Sequence, residues 1–213
     1  MRGAIFDVDG TLLDSMSVWY VITGKILKKR DIDANDEIMN KVKDITLPEA
    51  CKFIKEYYGL SESPEEIMDE AKRTAAEEYL NNIPLKSGAA EYLAKLHEEG
   101  VKLAVATSGF PELAEAALKR CGVWELFSAK AYSFETGKDK SNPDIYLLAA
   151  ERLGVEPAEC TVYEDILPGI CGAKKAGMKT VGVYDASAQS DARRIMHEAD
   201  KYIMSWEELM MQP

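Results

Sequence analysis

Asp7 and Asp9 stand two positions apart, directly after the apolar run Ala4-Ile5-Phe6, and Gly10-Thr11 follows them. On extended backbone, side chains at i and i+2 point to the same side. Two carboxylates held that way need a cation or a shared proton. A hard cation with oxygen ligands, such as Mg²⁺, suits them best. Gly10 permits a sharp turn beside a bound group. The same residues could equally form a plain acidic turn at the end of a strand. An EF-hand fits poorly, because Gly10 comes too early and Val18 stands where a closing Glu is needed.

Three more segments carry related chemistry. Tyr163-Glu164-Asp165 ends another apolar run and precedes Pro168-Gly169. Its acids could complete a cation shell opposite Asp7, or simply favour the positive end of the helix that follows. Thr107-Ser108-Gly109 closes the run 101–106. A hydroxyl and free N–H groups at a helix start can cradle an anion, or make an ordinary cap. Lys140, just before Asn142-Pro143-Asp144, could offset the carboxylates and grip a phosphate. A solvated loop lysine would look the same.

These residues need a scaffold that gathers strand ends. From about Ser87 onward, short β-rich runs at 101–106, 130–132, 160–163, 179–183 and 202–203 alternate with helical patterns, and residues 2–6 add one more buried strand. Strands alternating with helices imply βαβ units and a parallel sheet. Ligands bind such sheets at the carboxyl ends of the strands, where all four segments fall. Residues 15–84 show helical periodicity only. Val18, Val21, Ile22 and Ile26 form one apolar stripe, and Met68, Ala71, Ala75 and Tyr79 another. Helix starts are expected at Thr46 with Glu49, at Ser63-Pro64, and at Ser205 with Glu208. The block reads as a domain inserted between the first two strands.

The chain has 213 residues, with 37 acidic against 26 basic side chains and a formal net charge of −11. That balance argues against nucleic-acid or anionic-membrane binding, both of which need basic patches. An anionic substrate would have to be drawn in by local positive charge. Cys51, Cys121, Cys160 and Cys171 form no C-x-x-C, so reduced thiols and a cytoplasmic location are expected. A carboxylate arrives at Asp7, too early for a signal-peptide apolar region, and no apolar run approaches a membrane span. Nothing in the sequence sets an oligomeric state. Residues 172–177 have P-loop glycine spacing, but Met178 stands where Lys is required. His97 and His197 lie in polar helical contexts and are expected at the surface.

Taken in order, Asp7 to Ser15, Val105-Ala106-Thr107-Ser108, Lys140 to Tyr146, and Tyr163-Glu164-Asp165 with Pro168-Gly169 and 173–178 resemble the haloacid dehalogenase superfamily. Within it the chain is similar to the β-phosphoglucomutase-like phosphatases. The resemblance spans essentially the whole chain. It implies an α/β fold: a Rossmann-like doubly wound parallel sheet core (1–14 and 86–213) with an inserted all-helical cap domain (15–85). It further implies a Mg²⁺-dependent phosphatase acting on a small phosphorylated metabolite. Asp7 would be the nucleophile and Asp9 the acid and base. Thr107, Ser108 and Gly109 would hold the phosphoryl group, and Lys140 would bridge it to Asp7. Mg²⁺ would be held by Asp7, the Asp9 carbonyl, Asp165 and, through water, Glu164.

Sugar phosphomutases of this group carry a His early in the cap and an Arg in a cap loop. Residues 15–20 contain no His, and 43–47 offer Lys43 but no Arg. Hydrolysis is therefore expected over mutase chemistry. Trp19, Tyr20, Lys43, Lys72 and Arg73 are candidates for substrate contact. A reading of another class, a catalytically idle phosphometabolite-binding module, is disfavoured because every matched catalytic position is intact.

Overall fold

In a computed structural model, which describes residues 1–42 and 47–210, the short apolar runs become one sheet. Among the described residues it has six strands: β1 (Gly3–Phe6), β2 (Lys102–Thr107), β3 (Phe127–Tyr132), β4 (Cys160–Glu164), β5 (Lys179–Val183) and β6 (Lys201–Ile203). Their order is β3-β2-β1-β4-β5-β6, and every neighbouring pair is parallel. This is the doubly wound Rossmann-like arrangement. Its direction of winding reverses at the centre, the point where such sheets bind ligands. β1 is buried along its whole length, as expected of a parallel strand covered on both faces.

Two compact units emerge, residues 1–16 with 83–213, and residues 17–82. The second is helical: α1 (Val18–Lys28), α2 (Asp36–Val42), α3 (Leu47–Tyr58) and α4 (Pro64–Asn81). Leu27, Ile38, Val42, Ala50 and Ile54 form its core cluster. The expected stripe of α1 needs correction. Val18, Ile22 and Ile26 are buried, but Val21 is exposed and Leu27 takes the inward place. In α4, Ile67 is buried where Met68 was expected, and Met68 is only half-buried. The start of α4 is a full capping box: Ser63 Oγ accepts from Glu66 N, and Glu66 Oε2 accepts from Ser63 N. The cap expected at Thr46 lies outside the described residues.

In the sheet unit, α5 (Ala89–Glu98) leads to β2 and α6 (Pro111–Arg120) follows it. Between β3 and β4 lie α7 (Ser133–Thr136) and α8 (Asp144–Leu153). Next come α9 (Leu167–Lys175), α10 (Ala192–Glu198) and α11 (Glu207–Met210). One face of the sheet packs Ala104, Ala106 and Val162 against Tyr146, Ala149 and Ala173. Small strand side chains let the helices come close. On the other face Phe6 stacks on Tyr163 at 4.6 Å between centroids, and Trp206 packs on both. The segments flanking the helical block run side by side. Asp14 N donates to Pro84 O, and Lys86 N donates to Leu12 O. Lys86 then reaches Asp185 beyond β5, 2.8 Å away.

Candidate active site

β1 delivers Asp7 to the carboxyl edge of the sheet, and the chain turns at once. Leu12 N and Leu13 N both donate to Val8 O, and Gly10 N donates to Leu13 O. Gly10 has φ +81°, a conformation side chains rarely adopt, and a Cβ there would overlap the Asp165 carboxylate. Glycine is needed here twice over. Thr11 Oγ donates to Asp165 Oδ1 at 2.8 Å, and the Trp206 indole N–H donates to Thr11 O. A turn in the first fifteen residues is thereby fastened to the end of β4 and to Trp206, the residue before Glu207–Met210.

The turn holds Asp9 differently from Asp7. Ser15 Oγ donates to Asp9 Oδ1 at 2.7 Å, while Asp9 Oδ2 lies against Gly109, where a Cβ would sit 2.8 Å from it. At the end of β2, Thr107 is buried and its Oγ accepts from Gly109 N at 3.0 Å. Ser108 is exposed, with its hydroxyl 2.6 Å from that of Ser133.

Lys140 is buried, and its ammonium donates to Asp7 Oδ1 and, at 2.5 Å, to Glu164 Oε1. Tyr146 OH donates to the same Glu164 oxygen at 2.9 Å. The loop bearing Lys140 presses on α9 so closely that a Cβ at Gly172 would collide with Lys140 O. That contact accounts for the glycine that gives residues 172–177 their P-loop-like spacing.

Asp7, Glu164 and Asp165 each offer an oxygen, and these atoms lie within 4.8 Å of one another. Three buried carboxylates face one ammonium. Burial above all pushes Glu164 up to about 7, with Asp7 adding to the effect and Lys140 opposing it. Asp165 rises well above the usual carboxylate range, first through burial and then through Asp7 and Glu164. Burial works against the Lys140 charge, but the two carboxylates outweigh it and hold its pKa above the ordinary lysine value. Glu164 Oε2 and Asp165 Oδ2 are buried and accept no hydrogen bond. Buried anionic oxygens left without a partner are strongly unfavourable. An all-oxygen donor set with excess negative charge and two open lone-pair sites fits a hard divalent cation.

The residues singled out from the sequence in the sheet unit, Asp7, Asp9, Thr107, Ser108, Gly109, Lys140, Glu164 and Asp165, all lie at or just past the carboxyl ends of β1, β2 and β4 or, for Lys140, in the loop between α7 and α8. The Trp19 side chain and Lys43 lie outside the described residues, as does the Tyr20 side chain. Lys72 pairs with Asp69, and Arg73 is exposed. His97 and His197 are exposed, as expected. Sequence reasoning assigned no role to Thr11, Ser15 or Tyr146. Tyr146 did leave a signal: it shares the inward stripe of α8 with Ile145, Ala149 and Leu153, and a buried phenol needs a polar partner.

The family model described as haloacid dehalogenase-like hydrolase matches residues 1–177. A protein of Drosophila melanogaster named "Probable pseudouridine-5'-phosphatase" is 34% identical over 189 residues, covering 85% of this chain and 80% of that one. The β-phosphoglucomutase of Bacillus subtilis is 30% identical over 190 residues, covering 86% and 83%. Among solved structures, a β-phosphoglucomutase candidate from Thermotoga maritima superposes with a TM-score of 0.84 at 26% identity, covering 99% and 97%.

Proposed function

The chain belongs to the haloacid dehalogenase-like hydrolase family, and from that premise we propose that it hydrolyses the phosphomonoester of a small phosphorylated metabolite through an aspartyl phosphate on Asp7. The observation that carries this is the convergence of Asp7, Glu164 and Asp165 on one buried point with Lys140 between Asp7 and Glu164.

Asp7 attacks phosphorus in line, and the ester oxygen leaves. The Asp9 carboxyl gives that oxygen its proton, then takes one from the water that hydrolyses the acyl phosphate. Ser15 holds the Asp9 side chain for both transfers, and Gly109, with no Cβ, leaves room for it. Thr107 Oγ already accepts from Gly109 N, so its own proton is left to donate to a phosphoryl oxygen. Lys140 offsets charge on Asp7 and on the transferred group. Phosphoryl transfer depends mostly on such positioning and charge neutralisation. Asp7, Glu164, Asp165 and the Asp9 carbonyl would hold Mg²⁺, which supplies further neutralisation of phosphoryl charge when bound.

Trp19 and Lys43 remain candidates for substrate contact, tested by Trp19→Ala and Lys43→Ala. The four cysteines are free, which suits a reducing cytoplasm. Among the described residues no helix is long and apolar enough to cross a membrane.

The test is a panel of phosphorylated metabolites assayed with Mg²⁺ and with EDTA. Metal-dependent phosphate release that disappears in Asp7→Asn supports the reading. No turnover of any ester would favour a binding module instead. The β-phosphoglucomutase relative favours a second reading, phosphate transfer within a sugar phosphate. It predicts conversion of β-glucose 1-phosphate to glucose 6-phosphate with a bisphosphate primer and no phosphate release.

A further inference from the structure

We infer that the Tyr146 hydroxyl is a positioning group that decides which oxygen of Glu164 is offered to the cation. The inference rests on the reading of Asp7, Glu164 and Asp165 as a divalent-ion site, and adds a residue that this reading does not use.

Tyr146 is wholly buried on the inward stripe of α8. Its ring is wedged against α9, where a Cβ on Gly172 would come within 3.0 Å of Cε2. Its hydroxyl donates to Glu164 Oε1, the oxygen that Lys140 also uses. Both donors are therefore spent on one oxygen. Glu164 Oε2 is buried without a partner, and Gly169 packs so tightly on the carboxylate that a Cβ there would lie 2.6 Å from Oε2. Lys140 alone would not define the arrangement, because its flexible ammonium must also serve Asp7. The phenol is rigid, and it breaks the equivalence of the two oxygens. Hydrogen bonds from outside a metal's ligand set orient the ligands in this way.

Tyr146→Phe keeps the ring and removes only the donor. Calorimetric titration with Mg²⁺, or with Mn²⁺ as a tighter probe, should show about tenfold weaker binding than wild type. The metal concentration giving half-maximal ester hydrolysis should rise in parallel, with kcat at saturating metal nearly unchanged. A thermal melt confirms that the variant is folded. The same substitution in a Glu164→Gln background should weaken binding no further, since its target is already lost. An affinity within about twofold of wild type would overturn the inference. So would an equal loss in the Glu164→Gln background, which would mark a packing defect. If wild type binds the ion but turns over no ester, the proposed reaction fails while the Tyr146 comparison is still decided by the titrations. If wild type binds no divalent ion, both fail together.

Discussion

Thr11 Oγ donates to Asp165 Oδ1 at 2.8 Å, joining the turn after β1 to the tip of β4 across 154 positions of sequence. The bond satisfies one oxygen of Asp165 and leaves Oδ2 buried and unpartnered beside Gly10. Without a cation, burial first and then the neighbouring Asp7 and Glu164 charges raise the Asp165 pKa. A carboxyl with a raised folded pKa stabilises the fold only where it is protonated, so its ionised form is a liability at pH 7.

Asp165→Asn should therefore melt at a higher temperature than wild type when both are in EDTA. Mg²⁺ at about a hundred times its Kd should stabilise wild type by roughly 2.7 kcal/mol, and should leave the variant unmoved. Thermal melts in EDTA and in excess Mg²⁺ check both signs. A variant less stable in EDTA would mean that Asp165 is not under charge strain.

How far this site was legible in the sequence follows from where its residues sit. Asp7, Thr107 and Glu164-Asp165 each end a short apolar run, and a parallel sheet brings such ends to one edge. Chain order and local type were enough to group them. The face of α1 was read with a one-residue error at Val21 because 3.6-residue periodicity over three turns leaves the centre of a stripe poorly defined. The bonds from Trp206 to Thr11 and from Tyr146 to Glu164 were not legible. They depend on the approach of elements distant in sequence, and no local pattern encodes that distance. Gly172 was the reverse case: its spacing was visible, but its cause, contact with Lys140 O, appears only once α9 is packed.

Gly109→Ala should separate catalysis from stability. Gly109 is not among the glycines with positive φ, so alanine there meets no left-handed backbone strain. Its Cβ would nonetheless press on Asp9 Oδ2 at 2.8 Å and on Thr107 Oγ at 3.3 Å. Displacing a proton-transfer group by about 1 Å can lower the rate roughly a hundredfold. The expected outcome is a large fall in kcat with a melting temperature close to wild type. Steady-state kinetics beside a melt would show it, and unchanged kcat would argue that Asp9 is not held for proton transfer.

Asp185 provides a stability readout away from the chemistry. Burial raises its pKa, but the Lys86 bond, followed by Ser187 Oγ and N–H, outweighs this and holds it below its usual value. The sign is that of a depressed carboxyl: the stabilisation is complete above the unfolded pKa of about 3.9 and is lost as pH falls through the folded value. Asp185→Asn should be less stable than wild type at pH 7, and the gap should close below about pH 4. Denaturant melts across that range test it. A gap that persists at low pH would assign the effect to packing.

The central claim is that Asp7 carries the phosphoryl group. Wild type mixed with a turned-over phosphomonoester and Mg²⁺, quenched in acid within a turnover and digested, should yield the peptide containing Asp7 with one added phosphoryl mass. The adduct should be labile to hydroxylamine, and Asp7→Asn should give none. Steady turnover with no adduct on that peptide at any quench time, or an Asp7→Asn enzyme that still hydrolyses the ester, would contradict the account.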